Sequence, residues 1–338
     1  MTRRDRERGS RHALPPLEAS TLRTRDGHRV AFAVAGAAGG VPVAVLHGGP
    51  GSGSQPGALR LFDLSRFRVV LIDQRGTGAS TPHGSVRHNR TDYLIADLEA
   101  IRARLGFARW GVLGGSWGAA LALAYAGQCP QSVTGVVMRG LFLTSRREVR
   151  GLFVTSRRRA PRAWSTLRVA ARCERPAGLA ARCAAGLRYG ANETRQRALA
   201  LAWRGYEDAV LASAATRRPA QPRARQSQRL ARKLTGKYRI QAHYLAHRCW
   251  LGETRLLSLA RRAAAAGVAL AAVHGSRDPV CPASNLRRFA RAVPAAQVEL
   301  VSAGHLTSDP ALHERVARVL AAMFIPTLQE GCSMRRAA

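Results

Sequence analysis

The chain has 338 residues, 46% of them hydrophobic, which suits one large core with an insertion or two small domains. No apolar run approaches the roughly 20 residues that span a bilayer, so no membrane partner is expected. The formal net charge of +34 is almost all arginine (Lys233 and Lys237 are the only lysines); it favours nonspecific adhesion to polyanions, but no nucleic-acid-binding motif accompanies it and no specific nucleic-acid partner is expected.

Residues 1–12 are Arg-rich with no apolar h-region after them, so residues 1–13 read as a disordered basic tail rather than a secretory signal. Residues 43–46 read as a buried strand ending at His47-Gly48-Gly49-Pro50-Gly51. Residues 67–72 form a second, ending at Asp73-Gln74-Arg75-Gly76. Leu94, Leu98, Ile101 and Leu105 then repeat at helical spacing. A short apolar run, 110–113, leads into Gly114-Gly115-Ser116-Trp117-Gly118 and an apolar stretch, 119–126. Residues 133–138 are a further strand. From 144 to 258 β-branched residues thin out while Ala, Arg and Leu dominate, as in a helical insertion; 216–229 read as a Pro/Arg/Gln-rich loop. Strand character returns at 268–274 and 297–301, and a last helix runs over 310–323. Strands alternating with helices predict an α/β fold with a mostly parallel, doubly wound sheet. Its core covers 14–143 and 259–326, with 144–258 as a helical cap and 327–338 as a tail.

Strand, Gly-x-Ser-x-Gly, helix is the setting of a nucleophile elbow, which holds a serine on a tight turn at the top of a parallel sheet. A serine hydroxyl needs a base, and the base needs an orienting carboxylate. In this architecture they follow in the order Ser, Asp, His. Asp278 follows the strand 268–274, and His305 follows the strand 297–301, so Ser116, Asp278 and His305 are the expected triad. Asp309 is a rival acid, but it lies where a helix N-cap is expected. The N–H groups of Trp117 and Gly49 are the expected oxyanion hole. No Walker or dinucleotide-binding loop is present, and no cofactor or metal is expected. Six cysteines (129, 173, 183, 249, 281 and 332) lack CxxC or metal-ligand spacing, which suits a reducing compartment, the cytoplasm.

The motifs His47-Gly48-Gly49-Pro50-Gly51, Asp73-Gln74-Arg75-Gly76-Thr77-Gly78-Ala79-Ser80, Gly114-Gly115-Ser116-Trp117-Gly118 and Gly304-His305 together resemble the prolyl aminopeptidase (proline iminopeptidase) family of α/β-hydrolase-fold serine peptidases. The likeness extends from about residue 14 to 324 and is thin in the insertion. It implies release of N-terminal proline from a small peptide substrate with a free N-terminus, under a helical cap that binds the amine with carboxylates. Glu207, in Trp203-Arg204-Gly205-Tyr206-Glu207, looks like one of these. A second family glutamate falls at Gln241, a neutral side chain that keeps hydrogen bonding but not charge. Phe142, Phe153 and Cys281 fall where ring contacts are implied, while Leu245 replaces an aromatic. An esterase or amidase with relaxed recognition is the alternative that Gln241 leaves open. His243 and His247 lie four apart on the cap helix with no third metal ligand evident, so they are expected to pack rather than ligate.

Overall fold

The computed structural model describes residues 16–214 and 227–325. The expected tails at 1–13 and 327–338, and most of the expected loop at 216–229, lie outside the described residues. In chain order come β1 (Glu18–Arg23), β2 (Arg29–Gly36), β3 (Val41–Leu46), β4 (Phe67–Ile72), α1 (Thr91–Arg104), β5 (Trp110–Gly115), α2 (Trp117–Gln128) and β6 (Val133–Arg139). Among the described residues six α-helices follow: α3 (Arg146–Arg150), α4 (Pro161–Ala170), α5 (Leu179–Gly186), α6 (Glu193–Ala212), α7 (Gln228–Ala246) and α8 (Gly252–Ala265). The chain then adds β7 (Ala269–Gly275), α9 (Ser284–Ala292), β8 (Gln297–Val301) and α10 (Pro310–Phe324).

The eight strands form one sheet in the order β1-β2-β4-β3-β5-β6-β7-β8. β1 and β2 run antiparallel, and β3 to β8 are mutually parallel. The sheet is covered on both faces, so the inner strands are mostly apolar runs rather than alternating, with Arg68 and His274 as exceptions. On one face α2 is buried almost throughout. It meets α8 so closely that a Cβ on Gly127 would stand 2.4 Å from the Leu259 carbonyl oxygen. On the other face α10 packs Leu312, Val316, Val319 and Leu320 against the sheet, and the Phe324 ring fills the space over Gly111.

The register aligns the carboxyl ends of the parallel strands. Leu46 pairs with Gly114, Gly115 with Arg139, Arg139 with Val273, and Gly275 with Val301. The turns carrying Gly49, Ser116, Asp278 and His305 all leave this one edge of the sheet, where open α/β sheets place their ligands. The helices between β6 and β7 supply residues to the same edge.

β1 and β2 were not among the expected strands. β1 is an edge strand whose charged and polar residues interrupt the apolar pattern, whereas β2 is half-buried and apolar after Arg29. α9 was also unread: it is a short helix that buries only Asn285, Leu286 and Phe289.

Candidate active site

Ser116 joins β5 to α2 at φ 57° and ψ −118°, a strained conformation for a residue with a side chain. Its neighbours make the turn possible. A Cβ on Gly114 would meet the Gly118 carbonyl oxygen at 2.2 Å, and one on Gly118 would meet the Leu46 carbonyl oxygen at 2.1 Å. The Gly-x-Ser-x-Gly spacing is therefore a steric requirement of the crossing between β5, α2 and β3. The Ser116 amide donates to the Arg139 carbonyl at 2.8 Å, which ties the turn to the next strand.

Asp278 and His305 are brought together. His305 Nδ1 donates to Asp278 Oδ2 at 2.6 Å. Asp278 Oδ1 accepts from the amides of Val280 and Cys281, both at 2.8 Å, so the carboxylate cannot rotate freely. Burial pushes the Asp278 carboxyl up, but the charge and hydrogen bond of His305 outweigh it and hold it below its ordinary value. An ionised Asp278 only accepts, which assigns the imidazole proton to Nδ1 and leaves Nε2 as the free base.

Ser116 and His305 line the same cavity, of about 660 Å³. Cys281 lines the cavity as well. His305 Nε2 has no partner among the described residues, so the Ser116–His305 bond is not made in this structure. Such bonds are often long before substrate arrives.

The Gly-rich turn after β3 lies against the elbow: a Cβ on Gly48 would stand 3.3 Å from that of Ser116. Gly49, at φ 118°, needs a conformation that favours glycine. Trp117 is the first residue of α2, where backbone amides have no intrahelical acceptor. Trp117 follows Ser116 in the chain, and Gly49 follows the Gly48 that lies against it.

Two supports of the site were not read from the sequence. The first is Gln74. Its Oε1 accepts from the Trp117 indole at 2.9 Å, its Nε2 donates to the His47 carbonyl at 2.9 Å, and its amide donates to His47 Nε2 at 3.1 Å. Because that nitrogen accepts, His47 Nδ1 donates to the Gly48 carbonyl at 2.9 Å. Burial pushes the His47 pKa down, consistent with a neutral ring. Asp73 adds bonds from the amides of Ser54 (2.6 Å) and Ala79 (2.8 Å). The two motifs after β3 and β4 are therefore one clamp under the elbow helix. The second support is Arg139, whose Nη1 donates to the His305 carbonyl at 2.7 Å. Its position at the end of a strand was the available signal.

The far side of the cavity is built from the helical insertion. Glu207 on α6 and Gln241 on α7 line the cavity from the insertion, as do Phe153 and Leu245, while Phe142 and Cys281 line it from the core. Gln241 Nε2 donates to Glu207 Oε1 at 2.6 Å. Glu207 Oε2 accepts from the Tyr238 hydroxyl at 2.8 Å and from Lys237 Nζ at 2.9 Å. Burial pushes the Glu207 carboxyl up, but Lys237 and the hydrogen bonds prevail and hold it below its ordinary value. Lys237 was not singled out by sequence, although it lies one helical turn before Gln241, on the same face.

Three other candidates find different places. Asp309 caps α10, accepting from the Ala311 amide, and does not orient His305. His247 stacks on Trp250 with ring centroids 4.7 Å apart, and His243 lies 4.9 Å from the same ring. Asp278, Cys281 and His305 place donor atoms within 4.8 Å of one another, and the Asp278–His305 hydrogen bond already joins two of the three.

A serine on an elbow, a buried Asp–His pair and two Gly-rich turns at the carboxyl edge of a parallel sheet define a hydrolase of the α/β class. Residues 41–311 match the family described as the alpha/beta hydrolase fold. A proline iminopeptidase of Neisseria gonorrhoeae is 31% identical over 308 residues, 90% of this chain and 96% of that protein. One from Xylella fastidiosa (strain 9a5c) is 46% identical over 136 residues, 40% of this chain. That match spans 44% of the Xylella protein, less than half its length. A solved structure of a putative epoxide hydrolase from Pseudomonas aeruginosa superposes with a TM-score of 0.55 at 20% identity, covering 92% of this chain and 97% of that one, which is a likeness of fold. The chain belongs to the α/β-hydrolase fold family and, within it, to the proline iminopeptidases. Among the described residues no helix is long and apolar enough to cross a membrane.

Proposed function

We propose that the protein is a serine aminopeptidase that releases N-terminal proline from small peptides through an acyl-enzyme on Ser116. Ser116 Oγ attacks the prolyl carbonyl carbon, and His305 Nε2 takes its proton. Asp278 holds the Nδ1 proton and balances the imidazolium that forms. The amides of Gly49 and Trp117 receive the developing oxyanion, where one such donor contributes on the order of 100-fold to 1,000-fold in rate. His305 returns its proton to the leaving amine as the C–N bond breaks. Water, deprotonated by the same imidazole, then attacks the acyl carbon and frees proline and Ser116. The residues 144–258 act as the cap, with Glu207 and Gln241 reading the terminal amine and Phe142, Phe153 and Cys281 bounding the ring. Five free cysteines among the described residues suit action in the cytoplasm.

The observation that carries this reading is the shared cavity: Ser116 and His305 on one side, the Glu207 carboxylate on the other. The likeness to proline iminopeptidases supports the substrate. The test is hydrolysis of a prolyl arylamide against its N-acetylated form, with covalent labelling of Ser116. Faster turnover of the free amine is expected. Equal rates would favour the esterase or amidase alternative instead.

A further inference from the structure

Glu207 does not face the cavity as a free carboxylate. A carboxylate offers about four lone-pair positions. Gln241 Nε2 takes one on Oε1, and Tyr238 OH and Lys237 Nζ take two on Oε2. Lys237 is held there by more than one contact. Its Nζ lies 3.3 Å from the Tyr238 hydroxyl and 4.5 Å from the centre of that ring, and its side chain is 18% exposed. Tyr238 is in turn stacked on Trp203, centroids 4.9 Å apart. The neighbouring charges on α6 are also matched, since Arg204 Nε bonds Asp208 Oδ2 at 2.5 Å. Around the amine-reading wall, positive and negative charges therefore balance before any substrate enters.

A substrate ammonium approaching Glu207 meets a cation already seated on Oε2. It must share the carboxylate with a like charge or displace Lys237 from three contacts. One strong acceptor remains unused. Gln241 is 4% exposed, and its Oε1 is buried without a partner. The assignment of that oxygen is chemical: the amide nitrogen must be the atom facing an acceptor-only carboxylate.

We infer that Lys237 is a specificity-determining residue of this site: it occupies Glu207 as an internal ammonium, weakens selection for a charged N-terminus, and leaves Gln241 Oε1 to receive a substrate N–H. The inference rests on the reading of Glu207 as the amine-binding carboxylate. It deepens that reading by naming what competes for the carboxylate, and it goes beyond the loss of charge at Gln241, because the same face of α7 adds a positive charge.

The test compares kcat/KM for prolyl arylamide with that for N-acetylprolyl arylamide, in wild type, Lys237→Met, Lys237→Arg, Glu207→Gln and the double variant Lys237→Met with Glu207→Gln. Active sites are counted by covalent labelling of Ser116, so a partly folded preparation does not enter the comparison. Lys237→Met raises the free-amine preference about tenfold, through KM rather than kcat, because a charge-assisted bond to Glu207 becomes available. Lys237→Arg keeps the competing charge and leaves the preference near that of wild type. The double variant loses the gain. A preference unmoved or lowered in Lys237→Met overturns the inference. If Glu207→Gln alone still lowers the wild-type preference, the reading of Glu207 stands without it. If Glu207→Gln changes nothing in either background, the reading itself falls. A gain that survives in the double variant also overturns the inference, since Lys237 would then be acting through some group other than Glu207.

Discussion

Ser116, Asp278 and His305 hang from strand ends, whereas Glu207, Gln241 and Lys237 are carried on two helices of the insertion. At the strand ends the backbone does the positioning. The register of β3, β5, β6, β7 and β8 brings their turns level, and the Asp278 carboxylate is pinned by main-chain amides. On the helices positioning passes from side chain to side chain: Trp203 stacks on Tyr238, Tyr238 bonds Glu207, and Lys237 and Gln241 complete the set. The first arrangement tolerates little change, because moving one group means moving a strand. The second can be retuned by a single substitution, because Lys237 and Gln241 each touch the Glu207 carboxylate through one side-chain contact.

The sharpest way to break that contrast is Ser116→Ala. If the strand-end groups are the catalytic machinery, turnover falls on the order of a million-fold for every substrate, free or acetylated. Thermal unfolding should not weaken, because alanine keeps the elbow's shape and removes only the hydroxyl. Residual turnover near wild type would show that the chemistry lies elsewhere. Asp278→Asn is expected to cost about 10,000-fold in kcat, since an amide can present N–H to His305 and favour the wrong tautomer. A single-turnover rate on either substrate checks it, and a loss confined to the free-amine substrate would contradict a role shared by both.

Gly118→Ala tests the backbone argument without touching a reacting group. The added Cβ would stand 2.1 Å from the Leu46 carbonyl oxygen, a main-chain atom that cannot swing away. A destabilisation of about 3 kcal/mol is expected, read from urea unfolding. A change below about 0.5 kcal/mol would mean that β3 and α2 are not locked as described.

The same contrast explains what could be read without coordinates. The strand at 67–72 was legible to the residue, because a buried parallel strand is a mostly apolar run bounded by turn residues; 297–301 was also read to the residue, although it is a mostly exposed edge strand that carries Gln297 and Glu299. β1 was not, because an edge strand with exposed charged and polar residues shows only part of that pattern; β2 carries an apolar run after Arg29 that was nevertheless not read as a strand. Ser116, Asp278 and His305 could be nominated because chain order and strand ends are one-dimensional information. The role of Gln74 could not: it depends on β3 and β4 being neighbours and on α2 pointing its indole at Gln74. Glu207 and Gln241 were visible one at a time, while their contact with each other and with Lys237 requires α6 and α7 to be packed. Nothing in the spacing of residues 207 and 237 announces an ion pair across two helices.

The smallest expected effect is on stability. The Glu207 carboxyl is held below its ordinary value of 4.5 by Lys237 and its hydrogen bonds, against the opposing push of burial. A depressed carboxyl stabilises the fold above its unfolded pKa, and this contribution is lost as pH falls through the folded pKa, because the unfolded chain binds the proton first. Wild type should therefore be more stable than Glu207→Gln at neutral pH, by no more than about 1 kcal/mol for a partly exposed pair. That advantage should shrink below pH 4.5. Urea unfolding of both proteins from neutral pH down through that value measures it. Asp278 titrates in the same direction in both proteins and cancels in the difference. An advantage that stays constant or grows on acidification would mean that Glu207 is not the ionised partner of Lys237, and the helix-borne half of the site would lose its charge argument while the strand-borne half kept its own.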